Sequence, residues 1–585
     1  MPNQLKIELG GIKVRNIFEE VENGKIVLPD FQRDFIWPTD QVAKLLESIL
    51  NGYYINTLLV LPIVTSEEHG PPFPPRTVEG VTNGNIPFDT QMILDGQQRI
   101  TSIYYAITAP TDVSLANTVY PQLYFLSFKK AVDGIFDEEA IGWRRRDWES
   151  SQSYIDNDYG LQIENDIIPF TIFKSTDTLR KWRRGLERYA EETGKISNTE
   201  IDQFEDNTDV FHNYEIPIIK LAADTPESKV VRTFERINTQ GLELGVFDIL
   251  TARLWTSKIR LRDLWEETLN RYPTISSQFD SISEERFREL LLKTIALHRG
   301  HECNESHLRE LSPNNFESDW FQASKMIDRV LLRAKSSGEG GLGITEKFGF
   351  PYSTMLPLLA NFIHMAENKD AYPDKVRLSK IQQWYWASVF SKRYSGSVDT
   401  TSFRDYREVK SWIMDEGKIP DAIENAPQRI TAELSLETLN RGGFYRGIMS
   451  LIILNRAKDF GTLESIELHQ VDDHHIFPIS LLRDGLNGKK YEKEVRNCIL
   501  NRTIIESKSN RYKYKDLQPS HYIREMIESH PEGEAGVRNL LRGHLIDDSG
   551  FRALLEDDFE MFLSSRQNVI QEAIKNKVGM DIVWE

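Results

Sequence analysis

Two carboxylates and two imidazoles stand in consecutive positions at Asp472, Asp473, His474 and His475, inside the run Val471–Pro478. An extended backbone sends successive side chains to opposite faces, so the two histidines meet different surroundings. That arrangement suits a division of labour between a metal ligand and a general base. A neutral imidazole titrates near pH ~6.5, close enough to neutrality to take a proton from water. Farther along, Asn501 follows an apolar pair and Asn510 lies amid basic residues. An uncharged amide can coordinate Mg2+ or fix a histidine ring. Arg502, Lys508, Arg511, Lys513 and Lys515 stand against Glu506 alone, with Tyr512 and Tyr514 interleaved, as in a surface that contacts a DNA backbone. Read from the residues alone, a solvated His/Asp turn beside an amphipathic segment accounts for the same letters.

The second group is Asp95-Gly96-Gln97-Gln98-Arg99, set between the apolar run Gln91–Leu94 and the helical run Ile100–Ile107. Gly96 permits a turn that a Cβ would hinder. The next N–H groups open a helix and lack acceptors within it, so they can receive anionic oxygens. Arg99 adds a forked cation suited to phosphate, and Asp95 suits Mg2+ or a water. The plain alternative is an Asp-Gly turn with a capped helix and Arg99 in a surface salt bridge. Upstream, Gln32 and Arg33 interrupt an aromatic segment containing Phe31, Phe35 and Trp37. An interior Arg needs a partner. Either Arg33 pairs with a structural carboxylate, or it and Gln32 face a ligand cavity. Downstream, Arg236 and Asn238 lie at a helix end before Gly241. The clusters Trp143–Arg146 and Arg180–Arg184 are further candidate DNA contacts. His298, His301, Cys303 and His307 fall close together, but their spacing matches no standard zinc finger.

These groups need a scaffold, and 585 residues exceed what one core fills, so about two to four domains are expected. Lys and Arg number 71 against 89 Asp and Glu, a net charge of −18, which excludes a non-specific nucleic-acid coat without excluding a local basic site. Cys303 and Cys498 are the only cysteines, too few for a disulfide framework or a four-cysteine zinc site, and they fit a reducing cytoplasm. No signal peptide or membrane span is expected, which points to a cytoplasmic protein without a membrane partner.

Thr39 is expected to cap a helix through Val42, Leu45, Leu46 and Ile49. Strands are expected at Thr57–Ile63, Gln91–Leu94, Leu123–Phe128 and Ile216–Leu221, a loop at Phe73–Asn85, and a helix at Pro226–Ile237. Residues 1–255 then form an α/β or α+β domain. Residues 256–460 are mostly helical, with Trp384, Trp386 and Phe390 spaced for one core-facing helix side. Residues 461–585 carry the histidine group and a helical tail.

Three motifs in order, namely Pro29, Gln32, Arg33 and Trp37, then Asp95–Arg99, then Phe234, Asn238 and Gly241, resemble the N-terminal domain of GmrSD-type restriction proteins. The resemblance spans most of residues 10–255 and implies a fold related to ParB and sulfiredoxin, associated with nucleotide binding and hydrolysis. It implies that Asp95, Gly96, Gln97, Gln98 and Arg99 bind an NTP (GTP or another), with Gln32, Arg33 and Asn238 lining the same cavity. His474 to Pro478, followed by Asn501 and Asn510, resembles the HNH (His-Me finger, ββα-metal) nuclease at the C-terminus of the same family. On that resemblance His475 is the general base, His474 and Asn510 hold one divalent cation such as Mg2+, and Asn501 orients the loop or His475. The family often has Asp where His474 stands, which keeps Asp473 as an alternative ligand. The implied architecture is a multidomain α+β chain: a ParB-like α/β domain, a helical middle region and a ββα-metal nuclease domain. The implied function is an NTP-regulated, modification-dependent DNA endonuclease of anti-phage defence. Its partners would be nucleotide and double-stranded, modified phage DNA, with a homodimer as one route to cutting both strands. The alternatives are a ParB-like nucleotide-gated DNA-binding regulator with an inactive nuclease-like domain, and a nuclease acting on RNA.

Overall fold

The computed structural model describes residues 6–584, apart from 33, 65–72, 82–85, 88, 227–228, 231, 234–244, 256, 279–280, 337, 339, 368–373, 397, 416, 434–441 and 515. Arg33, Phe234, Arg236, Asn238, Gly241 and Lys515 therefore lie outside the described residues. The chain divides into two compact units, Met1–Lys258 and Ile259–Glu585. The regions 256–460 and 461–585, expected as separate, lie within one unit apart from residues 256–258, which belong to the first.

The first unit is built on strands β1 (Ile7–Lys13), β2 (Ile26–Pro29), β3 (Leu58–Val64), β4 (Pro75–Arg76) and β5 (Asp89–Asp95), with β6 (Gln122–Leu126), β7 (Ile141–Arg145), β8 (Ile168–Pro169) and β9 (Glu215–Leu221). Six of them form a mixed sheet in the order β1-β9-β3-β5-β2-β4, and β7-β6-β8 form a second sheet. The chain segments Leu58–Val64 and Asp89–Asp95 are apolar enough to be covered on both faces, and they occupy the centre of the larger sheet. One face packs on Val42, Leu46, Ile49, Ile100 and Ile103; the other meets Phe31, Phe73, Ile249 and Ala252. The edge strand Ile7–Lys13 is largely exposed and lacks the apolar pattern by which a strand is read from sequence. Within the expected Phe73–Asn85 loop, Pro75 and Arg76 pair with β2.

Thr39 begins the helix Thr39–Leu50, but Pro38 is its N-cap and no side chain caps it. The Thr39 hydroxyl instead accepts a hydrogen bond from Asn117 at 3.1 Å. Tertiary context has redirected a residue whose local chemistry favours capping.

In the second unit, no described residue between 259 and 470 lies in a named strand. Helices Glu284–His298, Phe316–Ala334, Leu356–Ala366 and Lys375–Phe390 supply much of this region. Trp384, Trp386 and Phe390 are all buried, yet they do not share a side. Trp384 packs edge-on against Phe362, whereas Trp386 stacks on Phe390. Two residues apart on a helix is about 200°, so this segment is enclosed all round. Beyond it come β10 (Val471–His475) and β11 (Arg502–Glu506), paired antiparallel and followed by the short helix Ser507–Tyr512. The tail helix Phe559–Val578 packs into the core beneath them through Phe559 and Phe562, which contact Phe477.

Candidate functional site

In the first unit, β5 ends at Asp95, Gly96 adopts φ +94°, and the helix Gln97–Thr108 begins. A Cβ at Gly96 would lie 2.2 Å from Leu58 Cδ2, so both backbone conformation and space require glycine there. Arg99 folds back to Asp95 at 3.2 Å and donates to the Ile55 carbonyl at 2.8 Å. Burial lowers its pKa and the Asp95 carboxylate opposes that shift. Gln98 accepts from the Ile36 N–H at 2.9 Å and donates to the Asp34 carbonyl at 3.0 Å. Gln32 donates to the carbonyls of Ile93 and Leu94 at 2.9 and 2.8 Å. The two glutamine amides thus strap the segment after β2 onto the end of β5 and the start of the helix. Gln97 is buried in the same turn.

In the second unit, antiparallel register places His474 opposite Thr503 and His475 opposite Arg502. Strand alternation sends the two histidines to opposite sides. On one side, His474 Nδ1 lies 2.9 Å from Asn510 Oδ1. The Asn510 amide nitrogen donates to Asp472 at 3.0 Å, which turns its oxygen toward the ring. Asp472 is also 3.2 Å from Lys347 Nζ. His474 is fully enclosed, beside Phe460, and its Nε2 has no hydrogen-bond partner among the described residues. On the other side, His475 Nε2 is 3.1 Å from Asn497 Oδ1. Asp473 and Arg502 form an ion pair at 2.7 Å with both side chains largely buried. Burial pushes both ring pKa values down to about 4, with Arg502 adding to the effect at His475. Both rings are therefore neutral at pH ~7, the form that offers a lone pair.

Asn501 is fully buried and makes three bonds to backbone: its oxygen accepts from Phe477 N–H at 2.8 Å, and its nitrogen donates to Phe477 and Arg496 carbonyls, each at 2.9 Å. It clasps the long connection between β10 and β11 and makes no side-chain bond to His475. Arg566 of the tail helix, also buried, donates to the neighbouring Leu500 carbonyl at 2.8 Å. The loop that positions the histidines is thus held from two directions.

The basic run divides by placement. Lys508 and Arg511 are exposed. Lys513 is partly exposed and pairs with Glu525 at 3.2 Å. Arg502, expected to face DNA, is only 5% exposed at its side chain and is committed to Asp473. Tyr514 is core: its hydroxyl donates to the Phe460 carbonyl at 3.0 Å. A buried cation already paired with a carboxylate does not offer itself to phosphate, so the expectation for Arg502 is corrected. In the first unit the cluster at Trp143–Arg146 is also spent internally: Arg144 lies over Trp148 and Tyr154, and Arg145 pairs with Asp147 at 2.6 Å. Arg180 and Arg184 remain exposed.

With that geometry in place, comparison with known proteins is informative. Residues 14–255 match the N-terminal domain of GmrSD restriction endonucleases. The match covers every strand of the larger sheet except β1, the Asp95–Arg99 turn and both glutamine straps, and it supports a GmrSD-type restriction endonuclease family. An uncharacterised protein of Methanocaldococcus jannaschii is 29% identical over 597 aligned residues, covering 96% of this chain and 97% of that protein. That likeness runs through the histidine-bearing unit as well.

Asn497 lies outside both motif groups of the sequence, and Asp472, though within the Asp/His group, has no separate role assigned there. Asp472 could have been found from strand alternation, which sets it on the His474 side. Asn497 carries no comparable signal, because it approaches His475 only through the path of the intervening loop.

Proposed function

We propose that this chain is a divalent-cation-dependent DNA endonuclease of the restriction type, with a nucleotide-binding first unit that regulates cleavage. The observation that carries the reading is the pairing of His474 Nδ1 with Asn510 Oδ1 at 2.9 Å, the histidine lying on a strand whose next residue is the neutral base His475. Nδ1–H donates to that amide oxygen, whose orientation Asp472 braces; with the ring proton on Nε2 instead, Nδ1 and Oδ1 would be adjacent ligands for a hard divalent cation. The order of two antiparallel strands and a helix supports an HNH (ββα-metal) assignment, as does the first unit's match to GmrSD. When bound, Mg2+ or a similar cation would supply stabilisation for the charge developing on the phosphate and the leaving oxygen. His475 takes a proton from the attacking water. Asn501 holds the loop behind it, and Lys508 and Arg511 hold the DNA backbone. Burial favours a neutral Asp472, but the hydrogen bond from Asn510 and the Lys347 ammonium outweigh it and hold the carboxyl below its ordinary pKa.

One such centre cuts one strand, so a double-strand break requires a homodimer or successive nicks. In the first unit, the helix start after Gly96 offers N–H groups to an anion, and Arg99 stands in the first turn of that helix. Nucleotide there, GTP or another, would compete with Asp95 for Arg99 and so bias the turn between two states. A modified base in phage DNA is the discriminating feature we assign to the substrate, with the cytoplasm as the setting. No described helix is long and apolar enough to cross a membrane.

The test is cleavage of supercoiled plasmid, with and without modified bases, in Mg2+ or Mn2+ and each NTP. His475→Ala should abolish cleavage and Asp95→Ala should abolish NTP hydrolysis. Wild-type cleavage in His475→Ala would sink the nuclease assignment, and undiminished hydrolysis in Asp95→Ala would remove the turn from the nucleotide site.

A further inference from the structure

Asn497 occupies the loop before β11, and its amide is pinned on both sides. Its nitrogen donates to the Lys493 carbonyl at 2.9 Å. Its oxygen receives Arg502 Nη2 at 3.2 Å, and a guanidinium only donates. The amide orientation is therefore determined: the oxygen faces His475, whose Nε2 lies 3.1 Å away. An oxygen can only accept, so the hydrogen bond requires a proton on Nε2. A neutral imidazole carries one ring proton, which leaves the lone pair on Nδ1. Arg502 is itself braced, because its Nη1 donates to Asp473 at 2.7 Å. The chain Asp473–Arg502–Asn497–His475 thus runs from a carboxylate through a guanidinium and an amide to the ring.

We propose that Asn497 is a positioning residue that locks His475 in the tautomer whose Nδ1 accepts the proton. The consequence for cleavage rests on the nuclease reading above; the tautomer does not. The pattern follows the logic of a base oriented by a third group, with an amide in the place of a carboxylate. The amide sets the direction of the ring without placing a second negative charge against Asp473.

The experiment uses the full chain with nitrogen-15 in its histidine rings, observed by long-range proton–nitrogen correlation near neutral pH in chelator. His475 signals are identified by their loss in His475→Gln. The expected wild-type pattern is a protonated Nε2 and a bare Nδ1. Asn497→Leu should give a mixture of tautomers, and Asn497→Asp, which still accepts, should restore the wild-type pattern. A wild-type ring protonated at Nδ1, or a spectrum unchanged in Asn497→Leu, overturns the proposal. If Asn497→Leu does not fold, the wild-type tautomer and Asn497→Asp decide the matter. Plasmid cleavage then separates the two readings. Asn497→Leu should lower kcat by about 10-fold or more while KM for DNA stays within about two-fold. A wild-type protein that never cuts plasmid would overturn the nuclease reading and leave the tautomer result standing.

Discussion

The turn at Asp95–Arg99 and the ribbon at His474–Asn510 are both dense in polar residues, yet they spend those residues differently. In the first, Gln32, Gln98 and Arg99 direct their donors at backbone carbonyls of Ile93, Leu94, Asp34 and Ile55. In the second, His474, His475, Asn497 and Asn510 meet side chain to side chain, and lone pairs are left over. Backbone straps make a turn rigid; hydrogen bonds between ring nitrogens and amide oxygens make a place where a proton can be exchanged. The same amide chemistry is scaffold in one unit and candidate machinery in the other.

The contrast can be broken most directly at the base. His475→Ala should reduce plasmid cleavage by about 10²–10⁴-fold, the usual contribution of a general base, while NTP hydrolysis stays near wild type. Loss of both activities together would mean that the two regions are one site. At the opposite region, Gly96→Ala should cost about 2–4 kcal/mol, combining a left-handed backbone with the contact on Leu58. Urea unfolding reads this out, and an unchanged midpoint would show that the turn relaxes freely.

Gln98→Leu tests whether the first site is a scaffold. It leaves the Ile36 N–H and Asp34 carbonyl without their partner, a loss of about 1–3 kcal/mol. Nucleotide affinity of the folded fraction, measured by equilibrium binding, should stay at the wild-type value. A selective loss of binding with full stability would move Gln98 from strap to ligand contact.

The smallest effect is in acid. Burial depresses the pKa values of His364, His474, His475 and His544, all in the second unit, and of His212 in the first. A depressed histidine stabilises the fold above its unfolded value, and that stability is lost as pH falls below about 6.5, because the unfolded chain binds the proton first. Near pH ~5.5 each of His474, His475 and His544 should cost roughly 1 kcal/mol. Peptide-resolved hydrogen exchange across a urea series in chelator, at about pH 5.5 and about 7.5, should show the second unit losing more than the first. Equal losses would count against buried neutral rings there.

Much of the local framework was readable in advance. Apolar runs identified β3, β5, β6 and β9 to within about two residues, because central strands must be apolar on both faces. Gly96 marked the turn, since few other residues adopt its backbone conformation. The edge strand Ile7–Lys13 was not readable, because a strand exposed on most positions has no alternation to detect. Trp384 and Trp386 are core, as their aromatic character predicts, but two residues apart on a helix they cannot share the expected face.

By itself, the sequence determined the kinds of groups available and their short-range order: two adjacent histidines on an extended segment, a glycine turn before a helix, and basic residues after β11. Only the tertiary structure decided where each polar group was committed. It buried Arg502 against Asp473, turned Tyr514 into the core, bound Gln32 and Gln98 to backbone, and brought Asn497 to His475 across the loop. The physical reason is that a donor or acceptor becomes part of a site or a scaffold according to which partners converge on it. Those partners lie tens of residues away, at distances that only the folded chain sets.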